Sequence, residues 1–292
     1  MKELFGTGVA LVTPFNQDGS VDYNGLENLV NYSIDGGVEY LVLLGTTAES
    51  ATLTKDEKKE VVATIKKVNN GRVPMILGIG GNNTAEIIKE YAETDLSDYA
   101  AVLTVSPYYN KPSQEGIYQH YKAIASATNA NIILYNVPGR TGSNIAPETT
   151  VRLANEFKNI VAIKEASPDF LQSTNIIRLN TREDFIVLSG DDEYALPMTL
   201  AGGKGVISVM GQGLPTIFTD MIRKGLQRDV DNAYDSHYKL VKITHAIFAE
   251  GNPVGIKAVL AQKGICKPYT RLPLVPATDK LTAEIAELLN QF

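Results

Sequence analysis

The sequence predicts an α/β fold, a (β/α)8 TIM barrel with additional C-terminal helices, and three observations carry that prediction. Eight short apolar runs recur, at 7–12, 38–44, 73–79, 100–105, 131–135, 160–164, 184–188 and 205–209. They lie roughly 30 residues apart, the size of one strand-plus-helix unit. Helix-like stretches alternate with them, so the strands run parallel and are covered on their outer face. Eight parallel strands close a barrel. A doubly wound sheet needs a glycine-rich turn after its first strand, but here Val12-Thr13-Pro14-Phe15 follows it.

Local signals support the helices in order. Thr54-Lys55-Asp56-Glu57 has the form of a capping box and leads into Val61, Val62, Ile65 and Val68. Thr84-Ala85-Glu86 opens a second amphipathic stretch with Ile87, Ile88 and Tyr91. Pro147-Glu148 reads as a helix start with proline in the first turn. Beyond the eighth run, 215–226, 229–249, 253–262 and 282–290 are helix-like. No Gly/Ser linker separates them from what precedes. Residues 1–224 are therefore assigned to a catalytic barrel and 225–292 to a helical extension packed on it.

Composition narrows the function classes. The 292 residues are 44% hydrophobic and 21% charged, an ordinary globular balance that allows a sizeable core. A net charge of −6 without a basic block argues against nucleic acid as a partner. The single cysteine, Cys266, permits no intramolecular disulfide and suits a reducing cytosol; a small buried hydrophobe is its simplest role. The N-terminus lacks the apolar stretch of a signal peptide. No run reaches the roughly 20 apolar residues of a membrane span, so a cytoplasmic location without membrane contact is expected.

In a barrel, chemistry sits where strands end. Lys164 closes the run Ile160-Val161-Ala162-Ile163. Burial disfavours the ammonium, so such a lysine can act as a nucleophile and form a Schiff base with a carbonyl. It can equally snorkel to water or pair with Glu165. Other strand ends carry Gly45-Thr46-Thr47-Ala48-Glu49-Ser50, Ser106-Pro107-Tyr108-Tyr109-Asn110, Tyr135 through Gly142 with Arg140, and Ser189-Gly190-Asp191-Asp192. Hydroxyls to relay protons and a guanidinium to hold an anion fit imine chemistry.

Weaker signals are set aside. Gly78-Ile79-Gly80-Gly81 lacks the full phosphate-loop fingerprint. The segment 16–22 mimics part of a calcium loop without its closing glutamate and reads as a turn. Asp191-Asp192-Glu193 reads as a solvated or capping turn, because His120, His237 and His245 lie in helix-like segments.

The motifs GTTAES (45–50), SPYYNKPSQEGIYQHYKAIA (106–125), ILYNVPGRTG (133–142), IVAIKEAS (160–167), LSGDD (188–192) and GVISV (205–209) together resemble the dihydrodipicolinate synthase family, among the class I pyruvate-dependent lyases and aldolases. The resemblance runs over essentially the whole chain. It implies a lysine-linked condensation of pyruvate with L-aspartate-4-semialdehyde to 4-hydroxy-tetrahydrodipicolinate, in diaminopimelate and lysine biosynthesis, with no cofactor. It implies that Lys164 forms the Schiff base and Tyr135 exchanges protons with it. Thr46 links Tyr135 to Tyr109, which a neighbouring subunit supplies. Thr47 matches the pyruvate carboxylate site and Arg140 the anchor for the semialdehyde carboxylate. Gly190 and Ile207 match backbone positions lining the pocket. A homotetramer, a dimer of dimers, is the implied assembly. The sibling reading is another pyruvate aldolase, acting on N-acetylneuraminate or a 2-keto-3-deoxy-sugar acid. A non-catalytic sensor on the same barrel is the third.

Three departures stand out. Ala48 replaces the usual glycine of the turn, costly if its φ were positive. Ser106 replaces a more common threonine, a conservative change. Gln212 lies where an asparagine is usual nearby, with no role legible in sequence. In lysine-inhibited members the inhibitor binds between subunits at positions matching Ser50, Ala51, Lys55, Lys58, Asn82, Glu86 and Tyr108. Lys55 and Lys58 stand for neutral histidines there. An added like charge near a cationic ligand costs on the order of 1–4 kcal/mol, so insensitivity to lysine is expected.

Overall fold

A computed structural model describes residues Met1–Phe292. Eight strands form a closed barrel in the order β1 to β8. They are β1 Gly6–Ala10, β2 Tyr40–Leu43, β3 Met75–Gly78, β4 Ala101–Val105, β5 Ile132–Asn136, β6 Ile160–Glu165, β7 Ile186–Ser189 and β8 Gly205–Ser208. Each lies in or overlaps its apolar run, and the predicted TIM barrel is the observed fold. Seven helices occupy the crossovers: α1 Tyr23–Asp35, α2 Lys55–Asn69, α3 Thr84–Glu93, α4 Gln114–Ala127, α5 Pro147–Glu156, α6 Phe170–Leu179 and α7 Ala195–Ala201. After β8 come α8 Pro215–Gln227, α9 Val230–Phe248, α10 Val254–Gln262 and α11 Asp279–Leu289. The first of these completes the eighth strand-helix unit, and three helices are additional.

The caps explain where helices begin. The Thr54 side chain accepts from Glu57 N–H at 3.2 Å while Glu57 accepts from Thr54 N–H at 2.8 Å, a complete capping box. Asn83 rather than Thr84 caps α3, accepting from the Ala85 and Glu86 N–H groups. Pro147 stands in the first turn of α5, where its missing N–H costs nothing. No helix is long and apolar enough to cross a membrane.

By packing, the chain divides into two compact units: Met1–Phe5 with Pro74–Ile207, and Gly6–Val73 with Ser208–Phe292. In the first, β5 and β6 pair with Tyr135 opposite Lys164, and β6 and β7 with Lys164 opposite Leu188. Ile132, Ile133, Leu134, Ile163 and Leu188 are fully buried there. Each such side chain contributes about 1.5–3 kcal/mol over an exposed one. In the second unit Gly8 pairs with Tyr40, and a Cβ at Gly8 would meet the Tyr40 ring at 1.9 Å, so only glycine fits. There α10 is buried from Val254 to Leu260, Lys257 included. A Cβ at Gly255 would fall 2.3 Å from the Ile247 carbonyl oxygen, so glycine lets α9 and α10 approach closely.

Candidate active site

In the first unit the ends of β5, β6 and β7 gather three expected residues. Lys164 and Tyr135 are 5% and 6% exposed, and Lys164 Nζ lies 4.4 Å from the Tyr135 ring centroid. The amine therefore sits on an aromatic face with little water around it. A Cβ at Gly190 would come within 3.0 Å of Lys164 Cε and Cγ and 2.7 Å of Ala166 Cβ. Glycine at 190 is what leaves the lysine stem its room. Ile207, also expected to line the pocket, is fully buried on β8.

The pairing of Lys164 with Glu165 offered by the sequence does not form. Successive residues of a strand point to opposite faces. The Glu165 carboxylate is fully buried and bound by the Asn136 and Gln172 side chains and the Ser167 N–H. Burial raises its pKa to about 7, partly offset by those hydrogen bonds.

Tyr109 and Arg140 stand on exposed loops. Tyr109 is 88% exposed and has φ 72°, a left-handed conformation that costs a non-glycine residue about 1–3 kcal/mol. Its N–H reaches the Thr141 carbonyl at 3.4 Å. Arg140 lies on a helical turn, Pro138–Thr141, closed by Gly142 at φ 69°. The single chain thus brings Lys164, Tyr135 and Gly190 together and leaves the Tyr109 ring outside.

In the second unit the motif after β2 forms a tight 3-10 turn over Thr46–Ala48. Thr47 is buried, and its Oγ1 accepts from Asn252 Nδ2 at 3.0 Å; Thr46 is exposed. The left-handed residue is Glu49, φ 52°, not Ala48, so the alanine carries no backbone penalty. The Ala48 carbonyl accepts from Thr13 Oγ1 at 2.7 Å. Glu49 is held by a fully buried Lys257, whose Nζ lies 2.5 Å from Glu49 Oε1 and 2.8 Å from the Tyr269 carbonyl. Glu49 Oε2 accepts from Arg271 N–H at 2.9 Å. Burial pulls the Lys257 pKa down while Glu49 opposes it.

The same unit explains Gln212, whose role the sequence did not reveal. It is fully buried, accepts from Val12 N–H at 2.9 Å and donates to the Ala10 carbonyl at 2.8 Å. It thus satisfies backbone groups where β1 ends, a need invisible across 200 residues of sequence. Cys266 is half-buried, and desolvation pushes its thiol up to about 12, which makes it unreactive at neutral pH. The segment 16–22 is a turn closed by a bridge between Phe15 and Val21.

Comparison with known proteins bears on the family and the fold. The profile of the dihydrodipicolinate synthetase family matches residues 3–292. A 4-hydroxy-tetrahydrodipicolinate synthase of Flavobacterium psychrophilum is 57% identical over 97% of this chain and 96% of its own. The crystal structure of the Thermotoga maritima dihydrodipicolinate synthase superposes with TM-score 0.95 at 40% identity, covering 98% of each chain. The chloride-inhibited Acinetobacter baumannii enzyme, solved in complex with pyruvate, superposes with TM-score 0.94 at 40% identity, again over 98% of each chain.

Proposed function

The chain belongs to the dihydrodipicolinate synthetase family, and from that premise we propose how its own residues divide the work. It is a lyase that condenses pyruvate with L-aspartate-4-semialdehyde through a lysine Schiff base, giving 4-hydroxy-tetrahydrodipicolinate for diaminopimelate and lysine biosynthesis. The observation that carries the assignment of the nucleophile is Lys164 itself: buried at a strand end, its amine over the Tyr135 ring, with the missing Cβ of Gly190 beside it. The relatives described above bear the name of this condensation enzyme rather than that of the sibling aldolases.

Lys164 Nζ adds to the pyruvate ketone, and loss of water leaves the imine. Tyr135 takes and returns the protons of that exchange. Loss of a methyl proton gives an enamine, whose carbon forms the new bond to the semialdehyde aldehyde. The semialdehyde amine then attacks the imine carbon, closes the ring and releases Lys164. The imine is the electron sink, so the lysine supplies both the nucleophile and the group that takes up the electron pair of the lost methyl proton, while Tyr135 handles the protons. The turn at Thr46–Ala48, with the Thr47 hydroxyl and N–H groups, holds the pyruvate carboxylate. Arg140 holds the carboxylate of the semialdehyde. Gly190 and Ile207 line the pocket.

Tyr109 completes the relay through Thr46 from a neighbouring copy of the chain. Its 88% exposed ring on a strained backbone supports that reading, since the ring is presented outward from its own chain. The assembly is a homotetramer, a dimer of dimers, working in the cytoplasm. Lys55 and Lys58 make it insensitive to lysine. The test is a coupled assay offering pyruvate with either aspartate semialdehyde or N-acetylmannosamine. Turnover with the semialdehyde alone is expected; turnover with only the sugar overturns the assignment.

A further inference from the structure

We propose that Glu165 is a positioning residue for the reaction: its buried carboxylate staples the strand end bearing the nucleophile to the strand end bearing the phenol. The proposal rests on the assignment of Lys164 and Tyr135 above and adds what holds them. Asn136 follows Tyr135, Glu165 follows Lys164, and the two are register partners, one step beyond the pair Tyr135 and Lys164. Asn136 Nδ2 donates to both Glu165 oxygens, at 2.9 and 3.0 Å. This bond lies where the backbone ladder runs out. Its last rungs are Ala166 N–H to the Asn136 carbonyl at 2.9 Å and Gly190 N–H to the Glu165 carbonyl at 2.7 Å. Past them, side chains hold the strand ends together.

The staple is braced on the side away from the lysine. Gln172 Nε2, from α6, donates to Glu165 Oε2 at 2.9 Å, and Ser167 N–H donates to Oε1 at 2.7 Å. Asn144 accepts from Asn136 Nδ2 at 2.7 Å and from Gln172 Nε2 at 3.0 Å, and donates to Gln172 Oε1 at 2.6 Å. Ile145 N–H donates to Asn136 Oδ1 at 2.9 Å. Every amide hydrogen of Asn136 and Gln172 is used, and each hydrogen bond to the carboxylate comes from a neutral N–H. A fully connected buried network fixes one geometry, because any rotation strands a donor. Burying a charge this way, with neutral partners alone, costs stability. A glutamine would carry no charge, but its NH2 would face the NH2 of Asn136 or Gln172. The carboxylate is the group that accepts from all three donors at once. Asn144 also follows the turn that carries Arg140. One carboxylate therefore bears on nucleophile, phenol and anion anchor together.

The test compares wild type with Glu165→Gln and Gln172→Ala, each brought to equal active-site concentration by end-point borohydride trapping with pyruvate. It is run at about pH 8, where the wild-type carboxyl is ionised. The expected result for Glu165→Gln is a drop of roughly 10- to 100-fold in kcat and in the rate of imine trapping at saturating pyruvate. KM for pyruvate shifts far less, because the carboxylate-binding turn is untouched. Gln172→Ala, which keeps the carboxylate and loses one brace, falls in the same direction by a few-fold. It decides the matter if Glu165→Gln does not fold. A purely structural role lowers the melting temperature and leaves the rate per trapped site unchanged. That outcome, in either folded variant, overturns the proposal. Failure of the wild type to trap pyruvate at all overturns the underlying assignment instead.

Discussion

Two regions hold a buried carboxylate next to proposed catalytic groups, and they do so by different physics. At the end of β6, Glu165 is bound by neutral amides, and its pKa rises to about 7. After β2, Glu49 is bound by the fully buried ammonium of Lys257, 2.5 Å away. The first arrangement fixes direction through several oriented hydrogen bonds and stays responsive to pH. The second fixes position chiefly through a buried ion pair, with the Arg271 N–H on the other oxygen, and is vulnerable to loss of either charged partner. The difference follows the work proposed for each. The ends of β5 and β6 must aim a phenol and an amine at one substrate, whereas the Thr46–Ala48 turn must hold its hydroxyls and backbone N–H groups still.

The largest expected effect lies on the aiming side. Tyr135→Phe removes the proton relay and keeps the ring under Lys164. A loss of about 10²–10⁴ in kcat is expected, with pyruvate still trapped on the protein. Unchanged kcat would remove the phenol from the mechanism. Next comes the holding side. Glu49→Ala strands the Lys257 charge and should destabilise the protein by about 3–5 kcal/mol in urea unfolding. The double change Glu49→Gln with Lys257→Met should recover most of that loss; if it is no more stable than Glu49→Ala, the ion pair is not the anchor.

The third test uses pH to separate two buried groups of the first unit, Glu165 and His120. Because folding raises the Glu165 pKa from 4.5 to about 7, its contribution is present below about 4.5 and lost as pH rises through 7. The size is about 3 kcal/mol. His120, buried on α4 with Thr84 at 2.8 Å, is desolvated and lowered to about 4 from 6.5. Its contribution is present above about 6.5 and lost as pH falls through 4, and is of similar size, about 3 kcal/mol. The two oppose each other across this range. Relative to Glu165→Gln, wild-type stability should fall as pH rises from 4.5 to 7, and relative to His120→Asn it should rise. Parallel curves for either pair would refute the corresponding burial argument. The smallest expected effect is that of millimolar L-lysine, which should change the rate by less than about twofold, given the added charges of Lys55 and Lys58. Strong inhibition would refute that reading.

How much of this was legible in the sequence follows the same division. The strands were, because parallel barrel strands are buried on both faces and read as continuous apolar runs. Lys164 and Tyr135 were, because they sit at the ends of those runs; Gly190 was named through the family resemblance. Glu165 was visible only as one alternative partner for Lys164, since strand alternation separates neighbours that sequence places together. Lys257 was not legible: it meets Glu49 across 208 residues, and a lysine in an apolar helix reads as a surface position. Gln212 escaped for the same reason, its partners lying 200 and 202 residues away. Tyr109 was legible only through the family resemblance.

The account turns on one covalent bond. Incubating the protein with pyruvate, reducing with borohydride and mapping the adduct by peptide mass spectrometry tests it most directly. The prediction is one adduct per chain, on Lys164, with the mass of pyruvate less water plus two hydrogens. It should be absent from Lys164→Ala and present in Tyr135→Phe and Glu165→Gln at end point. An adduct on another lysine, or none in the wild type, would contradict the account.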